Sequence, residues 1–317
     1  MTSASAAGKI ILLGEHAVVH GRPAIAVPVS AVRAYADIEA GSTDEGIVIV
    51  AADLDRRYPL DESDTEEHGA PLQTTIRNVL THLGEENPPP MVITVRSDLP
   101  IARGMGSGTA VATAIVRAVS QHLGRHLGAQ DVSDLVYRTE IIFHGTPSGI
   151  DNTVVAFEKP VYFVRDRERR VFWVGRPFDL VIADSGVPSR TRDAIAEVRR
   201  RWEANRARYE QLFDAVGVVV DAGYSAITGG DVTGLGVLMN RNQQLMRELG
   251  VSTPELEHLV DAARNAGALG AKLSGGGMGG CILALVGETS DAAYARERIA
   301  AALFTAGAQR VIPTTVR

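Results

Sequence analysis

Apolar positions recur along the chain at two spacings. Val32, Ala34, Ala36 and Ile38 alternate with Arg33, Tyr35, Asp37 and Glu39, the period of two expected of a half-buried strand. Met91 to Ser97 alternates in the same way. Shorter apolar runs at Lys9 to Leu13 and Ala24 to Val29 predict strands flanking the turn residues His20-Gly21-Arg22-Pro23. Tyr162 to Val164, Val171 to Val174, Leu180 to Ala183 and the run opened by Cys281 read as strands too. Helical spacing predicts helices over Pro71 to Leu83, Thr109 to Leu123 and about Asp131 to His144, the last with Gly145 placed to end it. Ile195, Val198, Trp202, Tyr209 and Leu212 mark one face of a single long charged helix. Leu235, Leu238, Met239, Leu245, Met246 and Leu249 mark another, and Thr253 is set to cap a third with Pro254 at its first position. Residues 52–70 are polar and acidic and predict an exposed loop. Gly175-Arg176-Pro177 suggests a boundary between domains 1–175 and 176–317.

Composition narrows the class of protein. A chain of 317 residues suits two domains or one large α/β unit, and 45% hydrophobic with 22% charged residues is an ordinary globular balance. The net charge is -6, and no basic block is interleaved with aromatics, so no nucleic-acid surface is expected. Arg199-Arg200-Arg201 lies among Glu197 and Glu203 and reads as a solvated helix face. The single cysteine, Cys281, excludes an intramolecular disulfide and points to a reducing, cytoplasmic compartment. It opens the apolar run C-I-L-A-L-V, which reads as a buried strand rather than a nucleophile site. The N-terminus lacks a basic region, and Glu15 and His16 interrupt the apolar run after Lys9, so neither a signal peptide nor a membrane span is expected.

Candidate chemistry sits in stretches rich in small residues. Leu99 to Ala112, L-P-I-A-R-G-M-G-S-G-T-A-V-A, places Gly104, Gly106 and Gly108 just before a helix. Glycine lets backbone approach a ligand closely, and the first turn of a helix offers unpaired N–H groups and partial positive charge. Together they suit an anion such as a nucleotide's phosphates; a tight turn into a buried helix is the plainer alternative. Gly8 to Gly21 and Ser274 to Gly280 are glycine-rich in the same manner. No G-x-x-x-x-G-K-[ST] is present, and Thr109 stands where a dinucleotide fingerprint needs its third glycine. Glu140 and His144 share a helix face, but no second histidine supports a metal pair, so His144 is assigned to the helix end.

Four segments in order carry a resemblance. G-K-I-I-L-L-G-E-H-A-V-V-H-G-R-P-A-I-A resembles the first motif of the mevalonate kinases, in the superfamily of galactokinase, homoserine kinase, mevalonate kinase and phosphomevalonate kinase. L-P-I-A-R-G-M-G-S-G-T-A is similar to that superfamily's phosphate loop, H-G-T-P-S-G-I-D-N to its aspartate turn and K-L-S-G-G-G-M-G-G-C to its third motif. The likeness runs from about Gly8 to Leu285. It implies an α+β fold in two parts, the first like domain 2 of ribosomal protein S5 and the second ferredoxin-like, with ATP and substrate meeting in a cleft between them.

The resemblance also implies roles. Gly104, Met105, Gly106, Ser107, Gly108 and Thr109 would contact the phosphates of ATP, with Gly275 and Gly276 closing over the nucleotide. Asp151 matches the catalytic aspartate, on an irregular turn, and Lys9 the lysine beside it. Glu15, His16, Thr191 and Arg192 match residues lining the mevalonate site, where a guanidinium suits a carboxylate. Glu140 matches the magnesium-binding glutamate, with Ser107 beside it. The chain departs from the pattern at Gly108, where many of these kinases carry a second loop serine as ligand. Ser107, Thr109 or water is left to complete the Mg2+ shell. The implied partners are mevalonate and ATP, and dimers are common among such relatives. Phosphomevalonate or homoserine as substrate, and a non-catalytic nucleotide-binding protein, are the alternatives.

Overall fold

The computed structural model describes residues 1–61, 69–100, 104–144, 148–165, 167, 169–189, 191–287 and 291–317. In chain order it comprises β1 (Thr2–Leu13), β2 (Ala24–Ala40), β3 (Ile47–Ala51), β4 (Arg56–Pro59), α1 (Gly69–Leu83), β5 (Met91–Ser97), α2 (Ser107–His122), α3 (Ala129–His144) and α4 (Ile150–Phe157). It continues with β6 (Val161–Phe163), β7 (Arg169–Val171), β8 (Phe178–Asp184), α5 (Thr191–Ala204), α6 (Arg206–Gly229), α7 (Val232–Leu249) and α8 (Pro254–Asn265). Last come β9 (Gly270–Ser274), β10 (Cys281–Leu285), α9 (Ala292–Thr305) and β11 (Arg310–Val316). The residues group into two compact units: Met1–Gly8, Val32–Pro100 and Gly106–Glu158 form one, and Lys9–Ala31, Ile101–Met105 and Lys159–Arg317 the other. Both are discontinuous in sequence, so they divide the chain differently from a single cut near residue 175.

In the first unit the outer half of β2 pairs antiparallel with β5, from Ala34 opposite Ser97 to Ala40 opposite Met91. β3 runs parallel to β5 on its other side and antiparallel to β4. Val32, Ala34, Ala36 and Ile38 of β2 and Met91, Ile93 and Val95 of β5 are all buried, as their alternation requires. The helices α1 to α4 pack against one another, and α2 can be almost wholly buried because alanine fills so many of its positions. Glu158 follows α4 in a left-handed conformation, and its carboxylate accepts from Arg33 at 2.7 and 3.1 Å and from Arg117 at 2.8 Å. Burial pushes that carboxyl up, but the two guanidinium groups outweigh it and hold the group below its ordinary value.

In the second unit β11, β8, β10 and β9 form a four-stranded sheet in that order, every neighbouring pair antiparallel. With helices between β8 and β9 and between β10 and β11, this is the expected ferredoxin-like arrangement. α7 comes so close to β9 that a Cβ on Gly236 would lie 2.7 Å from Leu269 Cβ, and one on Gly270 would lie 2.3 Å from Gly236 O. That closeness lets amide side chains of α7 serve the outer strand. Asn240 accepts from Ala271 N at 3.1 Å and donates to Leu269 O at 3.0 Å, while Gln243 accepts from Leu273 N at 2.8 Å. By length and composition α6 is apolar enough to cross a membrane. It buries Tyr209, Leu212, Phe213, Val216 and Val220, and its Glu210 and Asp214 pair with Arg22, as befits a core helix of this unit.

Several expectations need correction. Residues 52–70 are not one loop: a short 3-10 helix at Ala52–Leu54 and β4 occupy the first half, where Tyr58 is buried; residues 62–68 lie outside the described residues. The runs at 24–29 and 32–38 are one strand, β2, with Pro28 between its ladders to β6 and β5. The single long charged helix breaks at Asn205, whose side chain instead accepts from Arg208 N and caps α6. The strand placed at Val171 to Val174 is β7, ending at Val171, and Gly145 is outside the described residues.

Candidate active site

The glycine loop turns into α2 through Gly104 and Gly106, with φ of 78° and 70°. Gly106 is the N-cap, and the first helical bond runs from Ala110 N to Gly106 O at 2.9 Å. The N–H groups of Ser107, Gly108 and Thr109 thus belong to the unpaired first turn, which carries no acidic residue. A Cβ at Gly104 or Gly108 would meet nothing within 4 Å, so the backbone is approachable from that side. Met105 is buried beneath the loop, and its carbonyl accepts from Lys9 N at 3.0 Å, fixing the turn to β1. The geometry suits an anion at the helix start.

Two further residues of the first unit bear on that helix end. Thr109, buried in α2, donates from Oγ1 to Oε1 of Glu140 on α3 at 2.5 Å. Asp151 lies in the first turn of α4 after Gly149 at φ 81°, so the expected irregular turn is corrected to a helix N-terminus. Asn152 donates to Ser133 O at 3.0 Å and Ser133 Oγ at 2.8 Å, which fastens α4 to α3. For magnesium the donor set is hard oxygen: the Glu140 carboxylate with the Ser107 hydroxyl on the first turn of α2. Among the described residues no group of three or more His, Cys, Asp or Glu could hold a metal. A single carboxylate is nonetheless what Mg2+ takes when phosphates and water fill the rest of its shell, so the residues fit that ion. Thr109 is already engaged with Glu140, which leaves it orienting the carboxylate.

The second unit gathers the other candidates. Lys9, 6% exposed, lies inside the buried run Ala6 to Ile10 of β1. His16, also 6% exposed, bonds through Nε2 to Gly276 O at 2.9 Å. A carbonyl only accepts, so Nε2 carries the proton and Nδ1 is left as the acceptor. Burial lowers the proton affinity of His16, against the smaller opposing effects of the Gly276 bond and Glu15, and the ring is neutral at pH 7. Gly276 in turn lies against Thr191: an added Cβ would be 2.9 Å from Thr191 Cα. Thr191 and Arg192 open α5 and are exposed. Ser189 Oγ donates to Gly277 O at 3.3 Å, and Gly280 N to Val187 O at 2.8 Å, so residues 187–189 lie along the glycine run. A Cβ on Gly275 would meet nothing within 4 Å, and its backbone is open to a ligand.

Glu15 is placed differently from its neighbour. Its side chain is completely buried, Oε1 paired with the Lys272 ammonium and Oε2 accepting from Asn242 Nδ2 at 3.1 Å. It therefore stands behind His16 rather than facing a ligand. Lys272 and Asn242 were absent from the expected site residues. The one signal was a lysine inside the otherwise apolar strand A-K-L-S.

Two family models match the chain: GHMP kinases N terminal domain over residues 72–159 and GHMP kinases C terminal over residues 224–305. The mevalonate kinase of Pyrococcus horikoshii is 34% identical over 298 residues, covering 89% of this chain and 88% of that protein. The mevalonate kinase of Aeropyrum pernix is 36% identical over 292 residues, with 90% and 88% covered. Among solved structures, L. major mevalonate kinase in complex with R-mevalonate superposes with a TM-score of 0.82 at 27% identity, covering 100% of this chain and 96% of that one. The Methanococcus jannaschii mevalonate kinase shares the fold, with a TM-score of 0.85 at 23% identity over 99% and 98% of the two chains.

Proposed function

The chain belongs to the GHMP kinases, and from that premise we propose that it transfers the γ-phosphoryl group of ATP to the C5 hydroxyl of (R)-mevalonate, giving 5-phosphomevalonate for isoprenoid synthesis. The observation that carries this reading is the likeness to mevalonate kinases over nearly nine-tenths of the chain. The geometry within each unit supports it.

Phosphoryl transfer asks a protein mainly to position and to neutralise. The first-turn N–H groups of Ser107, Gly108 and Thr109 receive phosphate oxygens, and the turn at Gly104 to Gly106 lets them approach. Glu140, steadied by Thr109, would hold Mg2+ with Ser107, and the ion would supply positive charge against the developing phosphate charge. Asp151 orients the C5 hydroxyl and accepts its proton as the new O–P bond forms and the bond to the β-phosphate oxygen breaks, releasing ADP. The Lys9 ammonium offsets charge developing in that exchange. His16 offers Nδ1 to a substrate hydroxyl, and Arg192 beside Thr191 suits the substrate carboxylate. Gly275 and Gly276 admit the nucleotide at close range. Glu15 acts through His16. Both reactants are small anions, so no nucleic acid or membrane takes part, and the single buried thiol suits a reducing cytoplasm.

ADP release in a coupled assay with Mg-ATP, offering mevalonate, 5-phosphomevalonate and homoserine separately, tests the reading. Turnover is expected on mevalonate alone, falling about 10²- to 10⁴-fold in Asp151→Asn with ATP still bound. Turnover on another of the three would replace the substrate, and turnover unchanged in Asp151→Asn would remove the aspartate from its role.

A further inference from the structure

His16 has φ 60° and ψ -48°, and Ala17 N bonds to Glu15 O at 2.7 Å across it. That is a γ-turn of the rare positive-φ kind, a conformation a side-chain-bearing residue keeps only where its surroundings hold it. The surroundings here come from β9 and the helix beside it, α7. β9 supplies Lys272, whose ammonium meets Glu15 immediately before the turn. Ser274, also on β9, donates to Ile11 O at 2.7 Å, and Gly276 just beyond takes the His16 ring. Asn242 of α7 takes the second oxygen of Glu15. Lys272 and Glu15 are each 0% exposed. A fully buried ion pair is a poor source of stability, because desolvating two charges offsets most of their attraction and apolar residues of similar size serve as well. Its presence beneath a strained turn calls for a different explanation.

We propose that Lys272, Glu15 and Asn242 are positioning residues for the alcohol substrate: they clamp the backbone turn at His16, so that the ring keeps Nε2–H on Gly276 and presents Nδ1 as a fixed acceptor for a substrate hydroxyl. The proposal rests on the functional reading above, since it assigns this clamp to the alcohol and not to ATP. It adds no bond to the substrate itself. Single replacements leave one buried charge unpaired and lower stability whatever the pair is for. The double variant Glu15→Gln/Lys272→Met removes both charges and separates the two roles.

Purified full-length protein carries the test, with the thermal midpoint, KM for mevalonate, KM for ATP and the 15N tautomer signature of His16 measured together. The double variant is expected to regain most of the thermal midpoint lost in Lys272→Met. Its KM for mevalonate should be raised about tenfold or more, with KM for ATP within about twofold of the parent. The His16 ring should change from a single Nε2–H tautomer to a mixture. In a His16→Gln background the double replacement should raise KM for mevalonate no further. Asn242→Leu, which keeps the ion pair, should shift the tautomer and KM the same way by less, and it decides the matter if the double variant does not fold. Parental KM and a single tautomer in a stable double variant would overturn the proposal, as would equal rises in both KM values or additivity with His16→Gln. The tautomer readout needs no turnover, so a protein inactive on mevalonate with a responsive tautomer would refute the substrate and keep the clamp.

Discussion

Removing the Thr109 hydroxyl tests how the Glu140 carboxylate is held. Thr109 Oγ1 donates to Glu140 Oε1 at 2.5 Å, Thr109 being 8% exposed and Glu140 partly buried. Valine keeps the branched shape and deletes only the donor. A hydrogen bond to a charged acceptor contributes about 1.5–3 kcal/mol, which corresponds to a factor of about 10 to 100 in an equilibrium. That range matches the loss of metal affinity usual when a partner of a ligating carboxylate is removed. Thr109→Val should therefore raise the Mg2+ concentration for half-maximal activity about 10- to 100-fold at fixed ATP, while saturating Mg2+ restores much of kcat. Thr109→Ser, which retains the donor, should stay within about threefold of the parent on the same ground. The measurement is a Mg2+ titration of ADP release, paired with a Mg2+ titration of the thermal midpoint in the presence of ATP. An unchanged half-maximal Mg2+ in the valine variant, or serine as impaired as valine, would refute the idea that Thr109 sets the carboxylate.

Three more outcomes follow from the geometry. Gly276→Ala would put a Cβ 2.9 Å from Thr191 Cα, and overpacking of this kind costs about 1–3 kcal/mol; the urea midpoint should fall at constant m-value. Gly236→Ala gains up to about 1 kcal/mol in helix propensity but drives a Cβ to 2.9 Å from the Leu269 carbonyl carbon, and since backbone cannot yield like a side-chain tip, the urea midpoint should fall here too. For pH, burial sets the folded His16 below its ordinary 6.5, so the unfolded chain takes the proton first. This contribution is present above pH 6.5 and is lost as pH falls from there towards the folded value, at no more than about 1.4 kcal/mol per pH unit for one proton. His20 shifts the same way, again chiefly through burial. Urea midpoints between about pH 7.5 and 5.5 should fall less steeply in His16→Gln, and an identical slope would show that His16 binds its proton equally in the folded and unfolded chain, refuting the burial effect.

Periodicity made most of the elements legible, because strands and helices with one buried face print their spacing directly. Met91–Ser97 is a strand over its whole predicted length, and the caps at Thr253 and Pro254 stand where their residue types place them. Failures came where tertiary context decides. Nothing local shows that Pro28 can lie inside β2, since that depends on where its ladders to β6 and β5 end. Asn205 interrupts an amphipathic pattern that continues on both sides, and only its cap bond reveals the break. Asp151 follows Ser-Gly-Ile, which reads as a turn until the helix beyond is seen. In the candidate site the motifs single out the glycine loops, His16 and Glu140 as candidates by position alone. The pairings of Thr109 with Glu140 and of Lys272 with Glu15 join residues 31 and 257 positions apart, and spacing carries no trace of such partners.

The side chains that α7 lends to β9 also bear on what the sheet can do outside its own chain. An outer strand with idle N–H and C=O groups invites a second molecule to extend the ladder. Here Asn240 and Gln243 take up Ala271 N, Leu269 O and Leu273 N, capping that side with groups no incoming backbone readily displaces. The opposite border is β11, where Pro313 deletes a donor and Arg310 is exposed. Recruitment of a second molecule along β9 therefore requires α7 to detach first, and the resistance of α7 to local opening becomes a measure of how well that edge is guarded.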